Sequence, residues 1–394
     1  MNILFITKND PFIGKSGDAV YTRGIISSIS KVNGVQLSIY ICNGHYSEQQ
    51  FGKEKQYEQI NKIHYGMAKR FPGIFSIFSL LPKVSLSTIN KNDLIKLQKI
   101  LGKESIDVVI LNESATLNAL KVVNKYQSKK TLYISHNVDF IIRKKIAKEV
   151  GFLNILKIPM LYDAEKYKKY EIKYFKEVEL FTSITNSDYL EYKKLAPEKK
   201  GMVLKPGFEN RRSSNDLISD SRPNNAILMG SFYWKAKQFN LLELIESYSK
   251  KQRNFNLIIA GSMSIKLYKY ILNKYPEIKV IRNFSKVEEV LKICRIGLIL
   301  EKKGGGFKLK ALDYIFNNIP ILGYKESMEG LELVEGVDYI CAKNVDDANY
   351  LIEKVINDFD CLNNIQSNAF KKSAHSYSWS ERASSLINFL KENN

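Results

Sequence analysis

The chain has 394 residues, 44% hydrophobic and 26% charged, and carries a net charge of +19. That length and balance support two domains with a sizeable core and exclude a disordered chain. Four scattered cysteines exclude a disulfide framework, four histidines argue against a protein metal site, and no apolar run is long enough to span a bilayer.

The positive charge fits an anionic membrane surface, a phosphorylated substrate or nucleic acid. The lysines are spread along the chain and no nucleic-acid motif appears, so a membrane surface ranks first, compositional bias second and nucleic acid last. Cys42, Cys294 and Cys341 sit in or beside apolar runs, as buried free thiols do. With a strand at the very start and no signal peptide, a cytoplasmic location is expected.

Residues 2–7 (NILFIT) predict the first strand, 9–19 a loop containing Gly14 and Gly17, 20–30 a helix and 35–41 a strand. This is a Rossmann-like half-unit, without the G-x-G-x-x-G spacing or a Walker pattern. Residues 70–82 are apolar and aromatic, with Lys69, Arg70 and Lys83 at the ends. They fit either a segment dipping into an anionic membrane interface or a core helix bounded by prolines. A helix follows at 92–101, a strand at 107–111, a helix from Ala115 and a strand at 131–135. The alternation predicts a parallel sheet, whose ligands bind beyond the carboxyl ends of the strands. Asn112-Glu113 and His136-Asn137-Val138-Asp139 lie at two such ends.

Residues 161–175 predict a long helix with Glu165, Lys169 and Lys173 at i+4 spacing, a solvated, self-supporting face. A strand at 179–185 follows, and Asn186-Ser187-Asp188 caps the next helix. The polar stretch 210–225 is the expected linker between a domain of 1–209 and a second of 226–375, with 376–394 as a closing segment. The second domain opens with a strand at 226–231, a helix at 241–250 and a strand at 256–261.

Residues 296–300 predict a buried strand, followed by Gly304, Gly305 and Gly306 and a helix with Leu309, Leu312 and Phe316 on one face. Asn317-Asn318 stops that helix before a strand at 319–323. Such a βαβ unit makes a phosphate seat: glycine amides approach an anion, the helix N-terminus favours it, and Lys308 and Lys310 add charge. Asp313 is placed to accept hydrogen bonds from ribose hydroxyls.

The segment GGGFKLKALDYIFNNIPILGYKESMEGL resembles the donor site of GT-B fold glycosyltransferases of the family-4 type (glycosyl transferases group 1), with Lys310, Asp313, Pro320 and Glu329-Gly330-Leu331 at the matching places. Asp313 stands where the family usually has Glu, and Gly305 replaces the Glu eight positions before it. Further motifs follow in the family's order: SHNVD at 135–139, the strand and cap before Lys205-Pro206-Gly207, Gly230-Ser231-Phe232-Tyr233-Trp234, and Ser376-Tyr377-Ser378-Trp379.

The resemblance implies an α/β GT-B fold, two facing Rossmann-like domains with a cleft between them and a last helix crossing back to the first domain. It implies a donor site of Gly230, Ser231, Gly305, Gly306, Lys310 and Asp313, with Phe284 at the nucleobase turn and Lys235 or Lys237 as added charge. His136 would hold the donor sugar, and the Gly14 and Gly17 loop would help with acceptor or donor phosphate. The expected function is sugar transfer from a nucleotide-diphosphate sugar, as substrate, to an acceptor hydroxyl on a lipid-linked or surface glycan, as in bacterial surface-polysaccharide synthesis. No metal or resident cofactor is expected, because the protein supplies the charge that stabilises the leaving diphosphate. The family type retains configuration; if the reaction inverts, Asp139 and Glu113 are the candidate bases. A nucleotide-sugar epimerase and a non-catalytic sugar-nucleotide binding protein are the alternatives. A dehydrogenase is the least favoured, because no dinucleotide fingerprint follows the first strand.

Overall fold

Ile3, Leu4, Phe5 and Ile6 are all fully buried, which a strand allows only when both faces of its sheet are covered. In the computed structural model, which describes residues 1–14, 16–43, 59–66, 79–126, 129–149, 157–209, 217–233, 235–301 and 306–393, they form the centre of the first of two parallel sheets. Contacts divide the chain into one unit of residues 1–207 and 378–394 and another of 208–377.

The strands of the first unit are β1 (Asn2–Thr7), β2 (Gln36–Ile41), β3 (Lys62–Tyr65), β4 (Val108–Asn112), β5 (Lys130–Ser135), β6 (Leu180–Ser183) and β7 (Lys200–Val203). Its helices are α1 (Gly17–Ile29), α2 (Lys83–Thr88), α3 (Lys91–Lys103), α4 (Leu120–Val123), α5 (Asp139–Glu149), α6 (Lys157–Glu177) and α7 (Asn186–Leu195). The strand order is β3-β2-β1-β4-β5-β6-β7, with Phe5 level with Ile39 on one side and Ile110 on the other. The chain moves outward from β1 to β3 and then returns beside β1 with β4. That reversal is a topological switch point, where ligands of such sheets bind.

The helix expected from Ala115 is instead a 3-10 turn, Ser114–Ala119, running into the single-turn α4. On α6, Lys169 and Lys173 are exposed as expected, while Glu165 pairs with Lys144 of α5 at 3.2 Å. The opposite face of α6 buries Tyr167, Tyr170, Glu171, Tyr174 and Phe175.

The second unit contains β8 (Asn225–Ser231), β9 (Asn256–Ser262), β10 (Lys279–Ile281), β11 (Ile296–Ile299), β12 (Ile321–Gly323) and β13 (Ile340–Cys341). Its helices are α8 (Lys235–Tyr248), α9 (Ile265–Lys274), α10 (Val287–Leu291), α11 (Lys310–Phe316), α12 (Val345–Val355) and α13 (Phe359–Ser373). Its order, β10-β9-β8-β11-β12-β13, puts a second switch point between β8 and β11. Tyr314 of α11 is bolted there: its hydroxyl donates to the Ile227 carbonyl at 3.2 Å and accepts from the Met229 amide at 3.2 Å. Gly297 of β11 leaves room for the ring, since a Cβ there would lie 2.7 Å from Tyr314. Ahead of β8, Ile218 and Arg222 are buried in this unit, and residues 210–216 lie outside the described residues.

The last helix, α14 (Trp379–Glu392), packs on α1 in the first unit. A Cβ on Gly24 would lie 2.1 Å from the Trp379 ring and one on Gly207 2.5 Å from it, so two glycines make space for one indole. All four cysteines are free; Cys42 and Cys294 are buried, and Cys341 and Cys361 are half-buried. No described helix is long and apolar enough to cross a membrane. The aromatic stretch proposed for membrane contact lies outside the described residues from 70 to 78.

Candidate functional site

At the switch point of the second unit, a small hollow is lined by Gly230, Phe232, Lys237, Asn240, Glu301 and Lys310, among others. Gly230 is the last residue but one of β8, Glu301 follows β11, and Lys310 begins α11. The elements therefore bring two distant stretches of sequence to one place. Lys310 Nζ lies 2.5 Å from Glu301 Oε1 and donates to the Met229 carbonyl at 3.2 Å. Lys308 Nζ lies 3.5 Å from the other oxygen, Glu301 Oε2. Burial acts to raise the Glu301 pKa, but Lys310, Lys308 and Lys237 together hold its carboxyl well below the usual range. Burial lowers both lysine pKa values, and Glu301 works against that fall. The result is a buried basic site with its own internal carboxylate.

Lys237, not Lys235, lines this hollow; Lys235 is exposed at the start of α8. Ser231 follows Gly230 and is half-buried. Gly306 adopts φ 75°, a left-handed conformation that favours glycine, while Gly305 lies outside the described residues, as does Trp234. Helix α11 has only seven residues, so the lysines, more than a helix dipole, supply positive charge here. Asp313 is half-buried on α11, and its carboxylate has no hydrogen bond or ion pair to a described residue. Burial, reinforced by Glu288, pushes its pKa up to about 7. Phe284 follows β10, two strands from β8, and packs half-buried on the core without lining the hollow.

The first unit has its own hollow at its switch point, lined by Thr7, Asp10, Gly14, Asp18, Thr22 and Glu113, among others. Its described lining carries the carboxyl groups of Asp10, Asp18 and Glu113. Gly14 is closely packed: a Cβ there would meet the Ala19 Cβ at 2.4 Å, and its carbonyl accepts from Arg23 at 3.2 Å. Gly17 is exposed at the first position of α1.

Glu113 holds φ 69° and ψ 150°, a backbone region nearly confined to glycine that costs about 1–3 kcal/mol. Its carboxylate has no hydrogen bond or salt bridge to a described residue. Desolvation pushes its pKa up to about 8; Lys8 opposes this, while Asp18 and Asp139 add to it. Asp139 is in a different situation: it accepts hydrogen bonds from Ser114 and from Tyr167, the latter at 3.3 Å. Of the two candidate bases, only Glu113 opens on the hollow.

His136 Nε2 faces Asn112 Oδ1 at 3.0 Å, and the Asn112 amide donates to Thr22 at 3.0 Å. With Oδ1 as acceptor, Nε2 carries the proton and Nδ1 is left as the acceptor. Burial pulls the His136 pKa down to about 4, against the pull of Asp18 and Asp139, so the ring is neutral at physiological pH.

Two carboxylates escaped the sequence reading. Glu301 sits between the expected strand and the glycines, where nothing marks it apart from its lysine neighbours. Glu171 lies among Tyr167, Tyr170 and Tyr174, whose helical spacing was a usable signal of a buried face. It accepts from Tyr192 at 2.5 Å and from the Phe140 amide at 3.0 Å, capping α5 from the side. Burial and then Asp139 push its pKa up to about 8.

No family model matches the sequence, and no curated protein does. Solved structures do. Sucrose-phosphate synthase from Thermosynechococcus elongatus is similar with a TM-score of 0.71 at 10% identity, covering 100% of this chain and 98% of that one. Anabaena HepE in complex with UDP and glucose gives 0.70 at 12% identity, covering 100% of both. A glycosyltransferase from Rickettsia africae gives 0.64 at 13% identity, covering 100% and 98%. With two parallel α/β sheets matched over its whole length, the chain has the GT-B fold.

Proposed function

We propose that the protein is a glycosyltransferase that moves a hexosyl group from a nucleotide-diphosphate sugar to an acceptor hydroxyl. The observation that carries this reading is the small hollow at the end of β8 lined by Gly230, Lys237 and Lys310, with Lys308 joined to the same site through Glu301. Clustered ammonium groups in a low-dielectric setting suit a diphosphate whose charge grows as the glycosidic bond breaks. Lys310 and Lys237 would stabilise that departing diphosphate without a metal ion. Asp313, half-buried and without a side-chain partner among the described residues, would accept a hydrogen bond from the ribose. The fold supports the reading, since HepE has been crystallised with UDP and with UDP-glucose.

The acceptor would enter the hollow of the first unit. Its acidic lining suits an uncharged hydroxyl-bearing ligand such as a glycan. Neutral His136 offers a hydrogen bond and no strong base, which fits retention of configuration. If the reaction inverts, Glu113 is the group to take the acceptor proton, because Asp139 is already held by Ser114 and Tyr167. A lipid-linked or surface glycan is the acceptor class that best accounts for the net charge of +19 together with Leu80, 93% exposed beside the aromatic stretch.

The reading is tested by incubating the protein with UDP-, GDP-, CMP- and dTDP-hexoses, with and without glycan acceptors, and analysing the products. Transfer that depends on acceptor supports it. A changed sugar epimer with no acceptor present would make it an epimerase, and binding without turnover a non-catalytic protein.

A further inference from the structure

The two lysines of the donor site share one anion before any ligand arrives. Glu301 offers one carboxylate oxygen to Lys310 at 2.5 Å and the other to Lys308 at 3.5 Å, and its side chain is 9% exposed. Its backbone is fixed as well. The Ser327 hydroxyl accepts from the Glu301 amide at 3.2 Å and donates to the Glu301 carbonyl at 3.2 Å. Lys310 is tied at a second point by the Met229 carbonyl at 3.2 Å.

We propose that Glu301 is the positioning residue of this basic site, a carboxylate bridge that holds the Lys308 and Lys310 ammonium groups side by side and charged for a diphosphate. The inference rests on the donor reading above. A flexible lysine is a point charge on a long stem, and ordering it on ligand binding costs entropy. Anchoring both stems on one buried carboxylate removes much of that cost in advance. It also answers the desolvation problem. A buried ammonium with no counter-ion loses its proton and can no longer meet a phosphate as a cation. Among the described residues, the charged groups that act on this cluster include Glu301 itself, Lys308 and Lys310, Lys237 from α8, and Glu329 beyond β12. Glu301 contacts both ammonium groups.

The test is a pH titration of the nucleotide-free, full-length protein labelled with carbon-13 at lysine Cε. Lys308→Arg and Lys310→Arg assign the two signals. In Glu301→Gln the Lys310 midpoint is expected to fall by about 1–3 pH units, and an unchanged midpoint in the folded variant overturns the proposal. Glu301→Asp keeps the charge and shortens its reach, and it covers the case in which the Gln variant does not fold. There Lys310 is expected to stay charged as in wild type, and a fall of the size expected for Gln overturns the proposal. UDP and GDP affinities of the same proteins are then measured against pH. The Gln variant should lose nucleotide binding at a lower pH than wild type, in step with Lys310. If wild type binds neither nucleotide, the donor reading fails, while the lysine titration still decides the role of Glu301.

Discussion

The imidazole of His136 and the side-chain amide of Asn112 are joined, Nε2 to Oδ1, at 3.0 Å at the carboxyl end of the first unit's sheet. The bond selects one tautomer and leaves Nδ1 as the acceptor. The folded pKa of about 4 lies below the ordinary 6.5, so the native state binds this proton less readily than the unfolded chain. The stability this group contributes is therefore complete above about 6.5 and is lost as the pH falls toward about 4. Nitrogen-15 NMR should show a neutral Nε2–H ring for His136 with no titration step over about pH 5 to 8. A midpoint near the ordinary histidine value would contradict it.

Glu113 has the opposite consequence. Its folded pKa of about 8 lies above the ordinary 4.5, so the native state favours the protonated form while the unfolded chain ionises. Stability falls as the pH rises from about 4.5 toward about 8. Glu113→Gln should thus raise the melting temperature at mildly alkaline pH, with a gain that shrinks as the pH is lowered toward the ordinary carboxylate range. Glu113→Gly should stabilise further by relieving the φ of 69°. Melting curves of the variants across pH decide this, and equal melting temperatures at alkaline pH would refute it.

Gly297 and Tyr314 predict a purely structural effect. Gly297→Ala would place a methyl 2.7 Å from the Tyr314 ring, and it should destabilise the protein by about 1–3 kcal/mol as overpacking does. Tyr314→Phe would strip the Met229 amide of its side-chain partner, at about 1–3 kcal/mol. Denaturant unfolding measures both.

Basic charge and exposed apolar residues predict membrane association. Binding to anionic vesicles should be strong at low salt and weaken as salt rises, and neutral vesicles should bind little. Co-sedimentation measures it, and indifference to anionic vesicles at low salt would remove the lipid-linked acceptor from the proposal.

Much of the fold was legible because parallel strands buried on both faces write themselves as apolar runs: NILFIT and IGLI needed no tertiary information. The glycines and Lys310 were legible for a similar reason, as the turn that follows such a run. Pairings across the sheet were not. Glu301 meets Lys310 nine residues on only because β11 and α11 fold back on each other, and the choice of Lys237 over Lys235 depends on which way the first turn of α8 faces. Glu171 shares the buried face that Tyr167, Tyr170 and Tyr174 mark at helical spacing, but in a helix rich in Lys and Glu a single glutamate reads as solvated until its partners Tyr192 and the Phe140 amide are seen. The 3-10 turn after Glu113 follows a backbone conformation that a glutamate rarely adopts, so no sequence pattern announces it.

The most direct test of the donor site is nucleotide binding by wild type and by Lys310→Ala, read as thermal shift and by calorimetry with UDP, GDP, CMP and dTDP and their hexoses. One nucleotide family should stabilise wild type, and Lys310→Ala should weaken its binding by about 2–5 kcal/mol, as truncating one partner of a buried charge pair does. Binding of the same nucleotide at equal strength by both proteins, or by neither, would contradict it.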